Sequence, residues 1–309
     1  MKKEKKRIDK NRLFDEIRGN LLATFAAVIV IVGVLLAFCL FRAGELGGSL
    51  LCETETGSGR QTFVYDLASR KKTLLWVDGY TDIRMVTGYT GESFYCCGMS
   101  GDTPCILKVR QGKAERAYGA QAAPSAMTED NGMLYLMLGE GGNGALMRLE
   151  PDTGEQAVLQ TGLYAPGGFC VSEEGLVVGR FSGELVNWVL ITQSGEKLLL
   201  QSQPSVKALA LFGRRIYFED TEARRLFYVS ADTGERGETA ILPALAGARA
   251  EEAPLFAFSY TPERRFLCLT NAQTPLRFRV FVIDGRFTTP VVPFGLIEKG
   301  TKLLSVKWI

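Results

Sequence analysis

A short phrase recurs along this chain: EPDTGEQAVL at 150 to 159, SADTGERGETAIL at 230 to 242, and between them a looser copy, TQSGEKLLL, at 192 to 200. The glycines fall at positions 154, 195 and 234, two nearly equal steps. A fixed period of about 40 residues marks a repeat architecture, in which each unit buries its apolar faces only against its neighbours. The phase extends backwards in similar steps to Gly112 in VRQGKAERAY and to Arg70 in VYDLASRKKTLL, and forwards by one longer step to Gly285 in VIDGRFTTPVV. Six turns are in phase, with one insertion before the last.

Each turn joins two short runs rich in branched and aromatic residues, such as ALMRL and QAVLQ or LFYVS and ETAIL. Asp-Thr-Gly-Glu suits a tight hairpin, with the Asp bonding its own backbone and the glycine taking positive φ. Two further strands precede each pair, as in SAMTEDNGMLYLMLGEGGNGALMRL and VKALALFGRRIYFEDTEARRLFYVS. Four strands in about 40 residues, repeated, predict propeller blades. Inner strands covered on both faces read as continuous apolar runs, as IYF, LYLML and FRVFV do. Frequent glycine turns exclude long helices from this region.

The stretch GRRIYFEDTEARRLFYVSADTGER, 213 to 236, resembles the blade repeat of the LDL-receptor-type YWTD propellers. Ile216, Tyr217, Phe218 and Asp220 stand where that repeat has an aromatic strand ending in Asp, and Leu226, Tyr228 and Val229 match its Leu-Tyr-x-Val strand. The Asp-Thr-Gly-Glu turns are also similar to those of quinoprotein-like and outer-membrane-assembly propellers. The resemblance implies a six-bladed propeller used for recognition. Blade one has three strands of its own, and the chain ends in a lone strand, TKLLSVKWI. That strand is expected to complete blade one and close the ring, removing an exposed edge.

The first twenty positions hold eight Lys/Arg against four Asp/Glu and run into LLATFAAVIVIVGVLLAFCLF, which carries no charge from Leu21 to Phe41. At about 1.5 Å per residue the run reaches roughly 31 Å, enough for a bilayer core. It exceeds the usual apolar region of a cleaved signal peptide and lacks a small-residue cleavage site. A single-span signal anchor is therefore expected, with its basic end in the cytoplasm and the rest outside. The organisation reads as a cytoplasmic tail over 1–20, a transmembrane helix over 21–41 in contact with membrane lipid, a linker over 42–48 and an all-β extracytoplasmic propeller over 49–309. Beyond the tail, basic and acidic side chains nearly balance, and no nucleic-acid surface is expected.

Six of the seven cysteines lie outside the apolar run. A hairpin turning at Gly101 would set Cys97 opposite Cys105; alternatively all six are small buried hydrophobes. No CxxC spacing occurs and the chain has no histidine, so no metal site, no cofactor and no His-dependent catalysis is expected. Carboxylate pairs remain: Glu129 with Asp130, Glu173 with Glu174, Glu219 with Asp220, and Glu251 with Glu252. The first two pairs read as solvated turns, and Arg224 and Arg225 stand beside the third.

Tyr80, Tyr118 and Tyr164 fall at the same stage of successive blades, in connectors expected on one face of the ring together with Asp102, Asp220 and Asn271. The surplus at 242 to 254, with Arg249, is a further connector on that face. Such a surface suits a peptide or glycan. The expected function is a non-enzymatic envelope module docking a partner protein or glycan; the rival is an extracellular carbohydrate-active enzyme working through carboxylates.

Overall fold

A computed structural model of the chain describes residues 21, 23–35, 48–120, 122–223, 225–238, 254–258, 265–270, 280–284, 287–291 and 301–309, those from 254 to 291 by their strands alone. Blade one begins with β1 (Ser49–Thr56), β2 (Gly59–Asp66) and β3 (Lys72–Leu75). Blade two is β4 (Thr81–Thr87), β5 (Ser93–Ser100), β6 (Thr103–Arg110) and β7 (Lys113–Gly119). Blade three is β8 (Ala126–Asp130), β9 (Met133–Leu138), β10 (Gly144–Leu149) and β11 (Gln156–Leu163). Blade four is β12 (Phe169–Ser172), β13 (Gly175–Ser182), β14 (Leu185–Thr192) and β15 (Gly195–Ser202). Blade five is β16 (Val206–Phe212), β17 (Arg215–Asp220), β18 (Arg225–Ser230) and β19 (Arg236–Glu238). After these come β20 (Pro254–Phe258), β21 (Arg265–Thr270), β22 (Val280–Asp284), β23 (Phe287–Val291) and β24 (Lys302–Trp308).

The strands form six four-stranded antiparallel sheets; β20 to β23 make one, and the other five carry described side chains. In blade one the order is β24-β1-β2-β3, so the last strand of the chain is the innermost strand of the first blade. Leu50 faces Trp308 and Cys52 faces Val306 across that junction.

Each of the four interfaces among the described residues is one apolar cluster drawn from two consecutive sheets. Leu51 and Val64 meet Val86, Phe94 and Leu107 between blades one and two; Cys97 and Ile106 meet Met127, Leu134 and Leu136 between two and three. Met137 and Leu146 meet Phe169 and Val178, and Val177 and Trp188 meet Ile216 and Phe218, at the next two interfaces. Consecutive residues such as Leu136 and Met137, or Val177 and Val178, are both buried because they point to opposite faces of a sheet covered on each side.

Two of the three copies of the repeated turn close in one way. In the copies at 150 and 230, the glycine N–H donates to the carbonyl four positions back, Gly154 to Glu150 at 2.8 Å and Gly234 to Ser230 at 2.9 Å. The threonine hydroxyl, rather than the aspartate expected, takes the next backbone N–H: Glu155 donates to Thr153 Oγ1 and Glu235 to Thr233 Oγ1, both at 3.1 Å. That leaves the aspartate free to face a neighbour, and Asp152 accepts from Lys108 Nζ of the preceding blade at 2.6 Å. Lys197 of blade four likewise donates to the carbonyls of Ala231 and Asp232, at 2.6 and 2.7 Å. Both of these copies are gripped by the blade before them.

One expectation is corrected, and a second is not shown among the described residues. The Gly101 hairpin has a turn of only Gly101 and Asp102, with Ser100 facing Thr103, so Cys105 faces Gly98 and Cys97 faces Ile106. Moving the centre by half a position puts the two thiols on different faces, and Cys52, Cys96, Cys97, Cys105 and Cys170 are all free and buried. The transmembrane helix expected over 21–41 is not found at that length. The helix described covers 23–35 with exposed apolar side chains, among them Phe25 and Ile29, and no helix among the described residues is long and apolar enough to cross a membrane. Residues 22 and 36–41 lie outside the described residues.

Candidate functional site: the axial cavity

The innermost strands β4, β8, β12, β16 and β24 surround a cavity of about 860 Å³. Its wall is mainly apolar, with Leu51, Val86, Met127 and Phe169. At one end stand the turns that leave the inner strands, carrying Glu129, Asp130 and Asn131 from blade three and Glu173 and Glu174 from blade four. These turns are tied to each other and to the backbone. Glu129 accepts from Gly132 N at 2.7 Å, Glu174 accepts from Arg214 N of blade five at 2.8 Å, and Asp130 accepts from Asn131 Nδ2 at 3.1 Å.

Lys307 on β24 carries a positive charge into this wall. Its Nζ donates to the carbonyls of Val86 and Met127, at 3.2 and 3.3 Å, joining three blades at the axis. Its side chain keeps some surface toward the cavity. Desolvation lowers its pKa, and the charge of Glu53 opposes that shift. Glu53 in turn accepts a hydrogen bond from Met85 N. Nothing in KLLSVKWI distinguishes this lysine before the ring is closed.

The residues anticipated from sequence are placed as follows. Tyr80 is half-buried in the connector before β4 and packs on the cluster between blades one and two. Tyr118 lies within β7 rather than in a connector; it packs against blade three and gives its hydroxyl to the carbonyl of Pro151. Tyr164 is buried, sits edge-on to Phe181 at 4.9 Å and donates to the carbonyl of Pro204 at 2.7 Å. Asp102 is exposed at the β5–β6 turn. Asp220 organises the β17–β18 turn, accepting from Ser205 Oγ at 3.2 Å and Ala223 N at 3.1 Å, with Arg225 Nε at 3.5 Å. Arg249 and Asn271 lie outside the described residues, as do Glu251, Glu252 and the insertion at 242–253. None of the described ones lines the axial cavity, which sequence reasoning had credited only with solvated turns.

Glu219 is the one buried carboxylate among the described residues. Burial pushes its pKa up to about 7, the charge of Lys207 opposing and that of Asp220 adding. It lies on the second strand of blade five, away from the cavity wall. Ile216, Tyr217 and Phe218 on β17 face Val229, Tyr228 and Phe227 on β18, so the two aromatic motifs form one paired layer.

No family model matches the sequence, and no curated protein matches it. Solved structures do. TolB from Acinetobacter baumannii superposes with a TM-score of 0.57 at 12% identity, over 84% of this chain and 66% of that one. A Lactobacillus plantarum protein gives 0.52 at 12% identity, over 84% of this chain and 82% of its own. A Bacteroides caccae protein gives 0.51 at 12% identity, over 85% and 99%. At such identity the likeness defines the fold alone, and the chain is a β-propeller.

Proposed function

We propose that the chain is a membrane-anchored interaction module whose propeller docks a partner through the face turned away from the anchor. The observation that carries this reading is where the chain enters the ring. Ser49 and Ile309 exchange backbone hydrogen bonds at 2.8 Å, which puts the start of β1 beside the end of β24, at the end of the ring where Glu129, Asp130 and Glu174 stand. The apolar run at 21–41 therefore leads into that end. The opposite end presents the turns between the second and third strands, where Asp102, Glu140, Glu184 and Glu222 are each exposed on successive blades. A face with a carboxylate on each of four successive blades suits a partner with a basic docking patch.

The test is crosslinking capture of the full-length protein from its own membranes, compared with a variant in which Asp102, Glu140, Glu184 and Glu222 are replaced by lysine. The variant should fractionate with membranes like the parent and lose the captured partner. Release of the parent by carbonate wash would remove the anchor from the proposal, and an unchanged capture pattern would remove the face.

A further inference from the structure

Trp76 is 54% exposed, whereas Trp188 and Trp308, the other two tryptophans, are buried. Its ring lies over Gly112 in the turn between β6 and β7, where an added Cβ would stand 2.8 Å from the ring. Asp78 N donates to the carbonyl of that same glycine at 2.9 Å, and Gln111 N beside it donates to the carbonyl of Glu92, in the turn between β4 and β5, at 2.8 Å. These turns stand at the end of the ring where the chain enters. In blade one the link to the entry is direct, because Leu67 N at the start of the turn between β2 and β3 donates to the Gly48 carbonyl at 3.3 Å. That turn exposes Arg70 and Lys71, and Lys72 follows with its Nζ 4.1 Å from the centre of the Phe63 ring. Its one carboxylate, Asp66, accepts from Ser69 N at 2.5 Å. Around the Trp76 ring charges of both signs are mixed, Asp78 and Glu92 with Arg110 and Lys113, so the net cation lies in the blade-one turn. The equivalent turns of blades three and five carry Asp152 with Glu155 and Asp232 with Glu235 instead.

We infer that the outer edge of blade one rests on the membrane surface, with Trp76 in the interfacial layer and Arg70 and Lys71 against anionic headgroups. The inference deepens the membrane-anchored reading and rests on it. The reach of the chain points to a lipid surface. From Phe41, the end of the uncharged run, to Gly48 there are seven steps of chain, which span at most about 25 Å. A tether that short holds blade one near the bilayer at high effective concentration, so a contact too weak for a free protein is populated. The chemistry of the edge fits the same occupant. Tryptophan concentrates at membrane–water boundaries because its ring is apolar and its N–H polar, and cations beside an anionic surface add an attraction that fades within a Debye length. The same surface repels the carboxylates of the other turns at this end, so the ring is held tilted with blade one down.

The test reconstitutes the full-length protein into phosphatidylcholine vesicles with and without phosphatidylglycerol, each containing lipid brominated near the headgroup as a contact quencher of tryptophan. In the vesicles with phosphatidylglycerol the parent should be quenched and Trp76→Phe should not, since Trp188 and Trp308 are buried. Quenching should fall without phosphatidylglycerol and at high salt. Arg70→Gln and Lys71→Gln should each lower the ratio of docked to undocked protein about fivefold, the worth of one cation near an anionic surface. Because the two lipid compositions are compared on the parent protein, a variant that fails to fold leaves the test intact. Flotation after a carbonate wash separates the two readings. A parent that floats with the vesicles while Trp76 stays unquenched by lipid overturns this inference and leaves the anchor standing. Trp76 shielded from aqueous acrylamide yet unquenched by lipid overturns it as well, and assigns the edge to a macromolecular partner. A parent that does not float overturns the anchor and this contact together.

Discussion

The hydroxyl of Tyr164 donates to the carbonyl of Pro204 at 2.7 Å, joining the connector into blade four to the connector out of it. Tyr164 is buried, and its ring meets that of Phe181 in a T-shaped contact. Tyr164→Phe keeps that packing and leaves the Pro204 carbonyl without its donor. It should lower unfolding free energy by about 1 kcal/mol, whereas Tyr164→Ala, which also empties the site, should cost about 3 to 5 kcal/mol. Urea melts of the two variants check the ratio. Equal losses would mean that the hydroxyl, not the ring, carries the interaction.

The grip on the repeated turn predicts a difference between two glycines of the same phrase. Gly154 has φ +81° and a Cβ placed there would lie 3.0 Å from Tyr118 Cε1, while Gly234 has φ +72° with no neighbour within 4 Å. Alanine at either position carries the left-handed backbone cost of about 1 to 2 kcal/mol. Gly154→Ala should lose about 1 kcal/mol more, because the Tyr118 ring must shift. In a Tyr118→Ala background the two glycine variants should converge, and a gap that survives there would refute the grip.

Glu219 predicts a pH dependence of known sign. Its folded pKa, about 7, lies above the ordinary 4.5, so between those values the folded chain holds a proton that the unfolded chain has released. Its contribution is complete below 4.5 and is lost as pH rises toward 7, with a slope of at most about 1.4 kcal/mol per pH unit. Glu219→Gln should therefore be more stable than the parent above pH 7, with the gap closing toward pH 4.5. Asp66, whose pKa is lowered mainly by its hydrogen bonds to Ser69, acts in the opposite direction in both proteins and cancels in the comparison. Parallel stability curves for parent and variant would show that the carboxyl titrates normally.

How much of this was legible beforehand depends on range along the chain. The glycine spacing and the continuous apolar runs are local, and they led directly to four-stranded blades and to a closing strand in TKLLSVKWI, which the structure places over 302–308. The thiols at 97 and 105 were misplaced because a hairpin centre must be known to half a position, and a turn of two looks much like a turn of three in sequence. Tyr118 was read as a connector residue because β7 extends to Gly119, beyond the last strongly apolar position. The cavity was not legible at all. Lys307 meets acceptors 221 and 180 positions away, and its place on the axis exists only after the two ends of the chain pair.

That pairing gives the last prediction. Leu303 and Trp308 on β24 are buried against blade one, Leu303 beside Thr54 and Trp308 beside Leu50. Leu303→Ala should cost about 2 to 5 kcal/mol, a large fraction of the stability of an ordinary domain. Leu198, on the outermost strand β15 and 59% exposed, provides the contrast, and its replacement by alanine should change stability by no more than about 0.5 kcal/mol. If the ring is closed by β24, Leu303→Ala should also raise the hydrogen exchange of blade one and its neighbours together, because loss of an inner strand opens both flanking interfaces. Increased exchange confined to residues 301–309, with the blades as protected as in the parent, would show that the strand lies on a ring already complete without it.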